Sequence, residues 1–140
     1  MNLTRRKAFL SIALLGRVTA WAAQLPSLKS KAYRFEDLPV DKQKEATYRD
    51  ILEGRTRTGD YLEAHETVLE ANAMPHPAHR HVGEELFVIS SGTLEVTIEG
   101  KTTRLGPGSA FFVASNEEHG MRNVGSTPAQ YFAITLGEKA

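Results

Sequence analysis

His79 and His81 are separated by one residue, Glu85 follows four positions after His81, and His119 comes about forty residues later. Side chains alternate faces along an extended chain, so His79 and His81 point the same way and both imidazoles can reach one ion. The short Val82-Gly83-Glu84 connection can bring the Glu85 carboxylate to that side, with glycine easing the bend. His119 can join them only from a different strand, which demands a folded sheet. A His/His/Glu/His set suits one divalent transition metal: imidazole accepts zinc, copper, iron or nickel, and the hard carboxylate keeps manganese in range.

The rest of the chain reads as one globular domain. It has 140 residues, 41% hydrophobic and 24% charged, and no internal repeat. It has no cysteine, which removes disulfides, thiolate metal sites and cysteine nucleophiles and leaves histidine and carboxylate as the strong ligands. The formal charge is zero, but residues 1–22 carry four of the 17 basic residues and no acid. Without them the balance is 13 basic against 17 acidic residues, a net of −4. A mildly acidic body with no basic cluster offers no electrostatic footprint for nucleic acid.

From Tyr61 onward the pattern is that of short strands. Residues 61–69 put Tyr61, Glu63, His65, Thr67 and Leu69 on one face, and a loop over 72–77 leads to the histidine pair. Strands follow at 86–89, 93–98 and 101–105, with Glu99-Gly100 as a two-residue hairpin connection, and then at 109–113, 120–124 and 129–136. Many short strands at close spacing, without a long amphipathic helix, indicate an all-β double-sheet barrel or jelly roll.

At this point the chain resembles the cupins, small β-barrel proteins with one metal site. Their first motif, G-x5-H-x-H-x3,4-E-x6-G, is met by His79, His81, Glu85 and Gly92, with Ala73 in place of the leading glycine. Their second, G-x5-P-x-G-x2-H-x3-N, is met by Gly108, His119 and Asn123, with Ala114 and Asn116 in place of proline and glycine. Asparagine tolerates the left-handed backbone that glycine supplies at such a turn. The resemblance spans about residues 60–137 and implies a single cupin domain, a double-stranded β-helix, over 58–140. It also implies a metal held by His79, His81, Glu85 and His119, and a homodimer formed through an outer sheet and an exchanged arm at 31–57.

Glu85 is preferred to Glu84 as the ligand because it keeps the six-residue distance to Gly92 and shares parity with Phe87 and Ile89; Glu84 would face solvent or Arg80. His65 shares its face with Leu69, so it either looks into the barrel or is hydrogen-bonded near the rim. Phe87, Phe112, Met121, Tyr131 and Ala133 are candidate cavity-wall residues, Arg122 points away, His76 is a loop residue between prolines, and Asn123 is a structural hydrogen-bonding residue. With one or two coordination positions open, the site is expected to act on a small organic substrate, with Glu85 as a base on release from the metal and His65 as proton shuttle. Dioxygenase-like oxidation comes first, then isomerase, lyase or decarboxylase chemistry; the alternative is binding of a metal or small ligand without turnover.

Residues 1–22 have the form of an export signal: basic to Lys7, apolar from Ala8 to Leu15, small residues around Ala20-Trp21-Ala22, and an Arg5-Arg6 pair of twin-arginine type. Eight apolar core positions broken by Gly16 and Arg17 fall short of the roughly 20 needed to span a bilayer. The expectation is cleavage after Ala22, no membrane span thereafter, and a periplasmic or secreted protein. Residues 23–57, polar and poorly periodic, read as linker and N-terminal arm; 49–54 suits a short edge strand and 42–52 a turn or two of helix, and sequence does not separate these.

Overall fold

The computed structural model describes residues 25–139, so the expected export signal at 1–22 lies outside the described residues. Among the described residues nine strands form two antiparallel sheets: β1 (Val40–Lys42), β2 (Ala46–Arg55), β3 (Tyr61–Leu69), β4 (Glu84–Ser91), β5 (Leu94–Ile98), β6 (Lys101–Leu105), β7 (Ala110–Val113), β8 (His119–Asn123) and β9 (Ala129–Gly137). One sheet has the order β1-β2-β3-β9-β4-β7 and the other β6-β5-β8. This is the all-β jelly-roll class expected, with every ladder antiparallel.

Alternation fixes the inner faces. Along β4, Glu85, Phe87 and Ile89 are buried, and along β9 Ala129, Tyr131, Ala133 and Thr135 are buried between half-buried neighbours. Leu69, Ile89, Leu94, Val96 and Val113 complete the apolar core. Phe87 stacks on Phe111 at 4.4 Å between centroids, and Tyr131 lies tilted 6.0 Å from Phe87. Such pairs each add about 0.5–1.5 kcal/mol beyond the area they bury.

The turns are where the sequence placed them. Glu99 and Gly100 both have positive φ, at 46° and 76°, as a two-residue hairpin turn requires. Asn116 takes φ 64° at the position the motif gives to glycine. Gly92, at φ 82°, has a second constraint: a Cβ there would sit 2.5 Å from the Ala129 Cα, so the glycine is what lets β9 begin against the β4–β5 turn.

Three expectations need correction. Residues 46–55 are neither helical nor an edge: they form a ten-residue strand inside the sheet, paired with β1 on one side and β3 on the other, with a bulge between Asp50 and Leu52. The expected boundary at residue 58 therefore falls inside the β2–β3 hairpin. The segment pairs along its whole length with β3. The segment before it is docked as well: Leu28 N–H donates to the Arg55 carbonyl and Arg55 N–H to the Pro26 carbonyl, both at 2.8 Å. The Arg49 guanidinium, paired at 3.0 Å with the buried Glu66 carboxylate, lies over the Phe35 ring. Second, Phe112 is not a wall residue; it is half exposed on the outer face, and Phe111 has the inward parity. Third, His79-Arg80-His81 is not part of a strand ladder but an extended segment held by one bridge, His79 to His119.

Candidate metal centre

The backbone, rather than the side chains, first brings the histidines together. His79 N–H donates to the His119 carbonyl at 3.0 Å and His119 N–H returns to the His79 carbonyl at 2.9 Å, joining the segment after β3 to the start of β8. Asn116 N–H on the His81 carbonyl, 2.8 Å, closes the same corner. His79, His81 and His119 each then offer a ring nitrogen within 4.8 Å of the others. Glu85 enters from β4 on the other sheet: its Oε2 is 3.3 Å from His81 Nε2 and 3.1 Å from His119 Nε2. All four residues expected as ligands are thus in one corner between the sheets, and Glu84 is exposed on the opposite side of its strand. Arg80 pairs with Glu118 and Glu99 rather than Glu84.

The donor set fits a divalent ion. Nδ1 of His81 lies 2.9 Å from the Gly83 carbonyl and Nδ1 of His119 lies 3.0 Å from the Glu117 carbonyl, contacts that require an N–H there and leave Nε2 with a lone pair. His81 Nε2, His119 Nε2 and His79 Nδ1 are buried with no hydrogen-bond partner. Orphaned buried nitrogens facing one carboxylate are costly without a ligand and suited to one. Burial and the neighbouring imidazoles hold the His79 pKa below its ordinary value. At Glu85 burial pushes the pKa up, but contact with His119 and the charges of His81, His119 and His79 outweigh it and keep the carboxyl below its usual range. His119 is raised by Glu85 against the opposing effect of burial.

Beside this corner a cavity of about 340 Å³ is lined by Tyr48, Asp50, His65, Glu85, Phe87, Met121 and Tyr131, with Asp41, Gln43, Pro75 and His76 around it. His65 thus looks into the barrel. Its Nδ1 is 2.7 Å from Glu63 Oε1, and the other oxygen of Glu63 accepts from Thr135 at 3.1 Å. Thr135 Oγ1 is also 3.5 Å from Glu85 Oε1, linking the two carboxylates. Burial pulls the His65 pKa down, but Glu63, Asp50 and Glu85 outweigh it and raise it. The expected Phe87, Met121 and Tyr131 wall is present, and Ala133, buried, pairs with His65 and Phe87 in the ladders. Glu63, Tyr48 and Asp50 were not anticipated; the signal for Glu63 was its parity with His65, two residues away. A second cleft, of about 490 Å³, lies between residues 31–39 and β2; it shares Asp50 with the first and contains none of the histidines.

Asn123 holds the floor of the domain. The two N–H groups of its buried Nδ2 are shared among the carbonyls of Leu69 (3.1 Å), Glu70 (3.1 Å) and Thr127 (2.8 Å), and its Oδ1 accepts from Gly125 N–H at 2.9 Å.

Comparison with known proteins gives a consistent result. A family described as the cupin domain matches residues 65–135. The solved structure of KdgF from Halomonas superposes with a TM-score of 0.67 at 17% identity, covering 79% of this chain and 96% of that one. A predicted oxalate decarboxylase from Thermotoga maritima gives 0.65 at 16% identity, with 77% and 100% covered. The polyketide cyclase RemF from Streptomyces resistomycificus gives 0.64 at 22% identity, with 79% and 81% covered. At these identities the likeness is one of fold.

Proposed function

The chain belongs to the cupin-domain family, and on that premise we propose that it is an exported metal-dependent enzyme acting on a small organic substrate. The observation carrying this reading is the convergence of three buried, unpartnered imidazole nitrogens with the Glu85 carboxylate, which itself lines a cavity of small-molecule size. His79, His81, Glu85 and His119 would hold iron, manganese, copper, nickel or zinc. When bound, such a metal supplies Lewis-acid polarisation of a substrate oxygen or redox chemistry with dioxygen. The Gly83 and Glu117 carbonyls fix the ring orientations of His81 and His119. Phe87, Met121 and Tyr131 exclude water from one wall.

His65 is the proton carrier in this scheme. Glu63 fixes its tautomer, so Nε2 is the atom that gives or takes a proton in the cavity. Replacing it with leucine, close in volume, is expected to lower turnover by about 10²–10⁴-fold, with metal content and β-sheet signal unchanged. Equal turnover in the two proteins would reduce His65 to a structural residue. Dioxygenase-like oxidation is the first reaction to seek, then isomerase, lyase or decarboxylase chemistry. The screen is metal-loaded protein against diketones, catechols, flavonols and oxalate; tight binding with no turnover across it favours a non-catalytic ligand-binding role instead.

Export and dimerisation are part of the same proposal. The basic, apolar and small-residue regions of 1–22 support a periplasmic or secreted location. A homodimer is supported by the outer face of the larger sheet, where Phe112, Leu86, Ile134 and Ala64 lie side by side in register, flanked by Val88 and Phe132. Phe112, Val88 and Leu136 are exposed there. Mass spectrometry of exported protein tests both: denatured, the chain should begin at Ala23, and under native conditions it should have twice that mass. An intact Met1, or a monomer at micromolar concentration, would refute the corresponding part.

A further inference from the structure

The cavity beside the histidines has a buried end at Glu85 and an exposed end at Asp41 and Asp50. At the inner end, Glu85 faces His81 Nε2 and His119 Nε2, both buried and without hydrogen-bond partners. At the outer end stand Asp41 and Asp50, exposed to solvent, and Tyr48 lies between. Among the described residues no lysine or arginine lines this space. The His65 imidazole is matched by its own carboxylate, Glu63, at 2.7 Å, and so does not offset Asp41 and Asp50. Asp50 forms no ion pair among the described residues, although it is the register partner of His65. Arg49, the nearest cation along β2, is committed to Glu66 and the Phe35 ring on the other face of the sheet.

A carboxylate at the outer end of a ligand would therefore meet two carboxylates and no fixed cation. An ammonium group there would meet two carboxylates beside Tyr48. We infer that the cavity selects a small ligand with an oxygen-chelating head directed at the histidine corner and a cationic, amine-bearing tail directed at Asp41 and Asp50, and that it discriminates against dicarboxylates. The inference rests on the metal-centre reading for the orientation of the head; the preference at the tail follows from the charges of the outer end.

Three ligands with one chelating head isolate the tail: dopamine, 4-ethylcatechol and 3-(3,4-dihydroxyphenyl)propanoate, cationic, neutral and anionic. Their dissociation constants would be measured by calorimetry on metal-loaded protein whose metal stoichiometry is determined on the same sample. Dopamine should bind about tenfold more tightly than 4-ethylcatechol, and the propanoate more weakly than both. In the Asp41→Asn/Asp50→Asn variant the three should converge, and raising the salt concentration should narrow the range in the parent protein. Equal affinities, the reverse order, or an order that survives the double substitution would overturn the charge selection while leaving the metal centre standing. Failure to load metal would overturn the reading beneath it and this inference with it.

Discussion

Replacing His81 or His119 with alanine is expected to abolish stoichiometric metal binding while leaving the fold. Loss of groups that merely orient a ligand already costs about 10–100-fold in affinity, so removal of a ligand should cost more than about 100-fold. The fold should survive because what ties residue 79 to residue 119 is a pair of backbone hydrogen bonds, which alanine at 119 keeps. Truncation also removes a buried, unpartnered nitrogen rather than a satisfied one. The check is metal content after gel filtration together with circular dichroism. Retained equimolar metal in both variants would eliminate the four-residue site.

The second large effect falls on stability, at Asn123. Truncation to alanine takes the amide donor from the Leu69 and Thr127 carbonyls and the acceptor from Gly125 N–H in a buried site, while the Glu70 carbonyl keeps Ala73 N–H. Each unsatisfied buried group costs about 1–3 kcal/mol, and partial relaxation brings the total to about 3–5 kcal/mol. That is a large part of the roughly 5–15 kcal/mol that holds a domain of this kind folded. Asn123→Asp separates shape from hydrogen bonding: it keeps the shape but replaces the donating amide with an oxygen facing three carbonyl oxygens. It should destabilise at least as much as alanine in urea denaturation, and an aspartate variant within about 1 kcal/mol of the parent would show that packing alone is at work.

Asn123 was legible in the sequence as a structural residue, and the reason is that its motif position and its chemistry agree. The convergence of the four candidate ligand residues was legible from residue type and spacing, and β3 and the Glu99-Gly100 turn from alternation and backbone conformation. What was illegible has a physical cause in each case. β2 buries Arg49 against Glu66, which lies 17 positions away, and turns Tyr48 and Asp50 toward a polar cavity, so neither face shows the apolar alternation that marks a strand. In β7 both faces are apolar because Phe111 enters the core and Phe112 lies on the outer sheet face; periodicity cannot choose between adjacent phenylalanines. The pairing of Glu63 with His65 was hidden because it is made between side chains two apart on one strand, where sequence shows only shared parity.

The central claim is that His79, His81, Glu85 and His119 form a metal centre, and elemental analysis tests it most directly. The protein would be exported by its own host and purified without chelators or a histidine tag. The account predicts one equivalent of a divalent transition metal per chain, with iron, manganese or copper directing the substrate search toward oxidation and zinc or nickel toward isomerase or lyase chemistry. Metal-free protein that also fails to take up any of these ions in equimolar amount would contradict it.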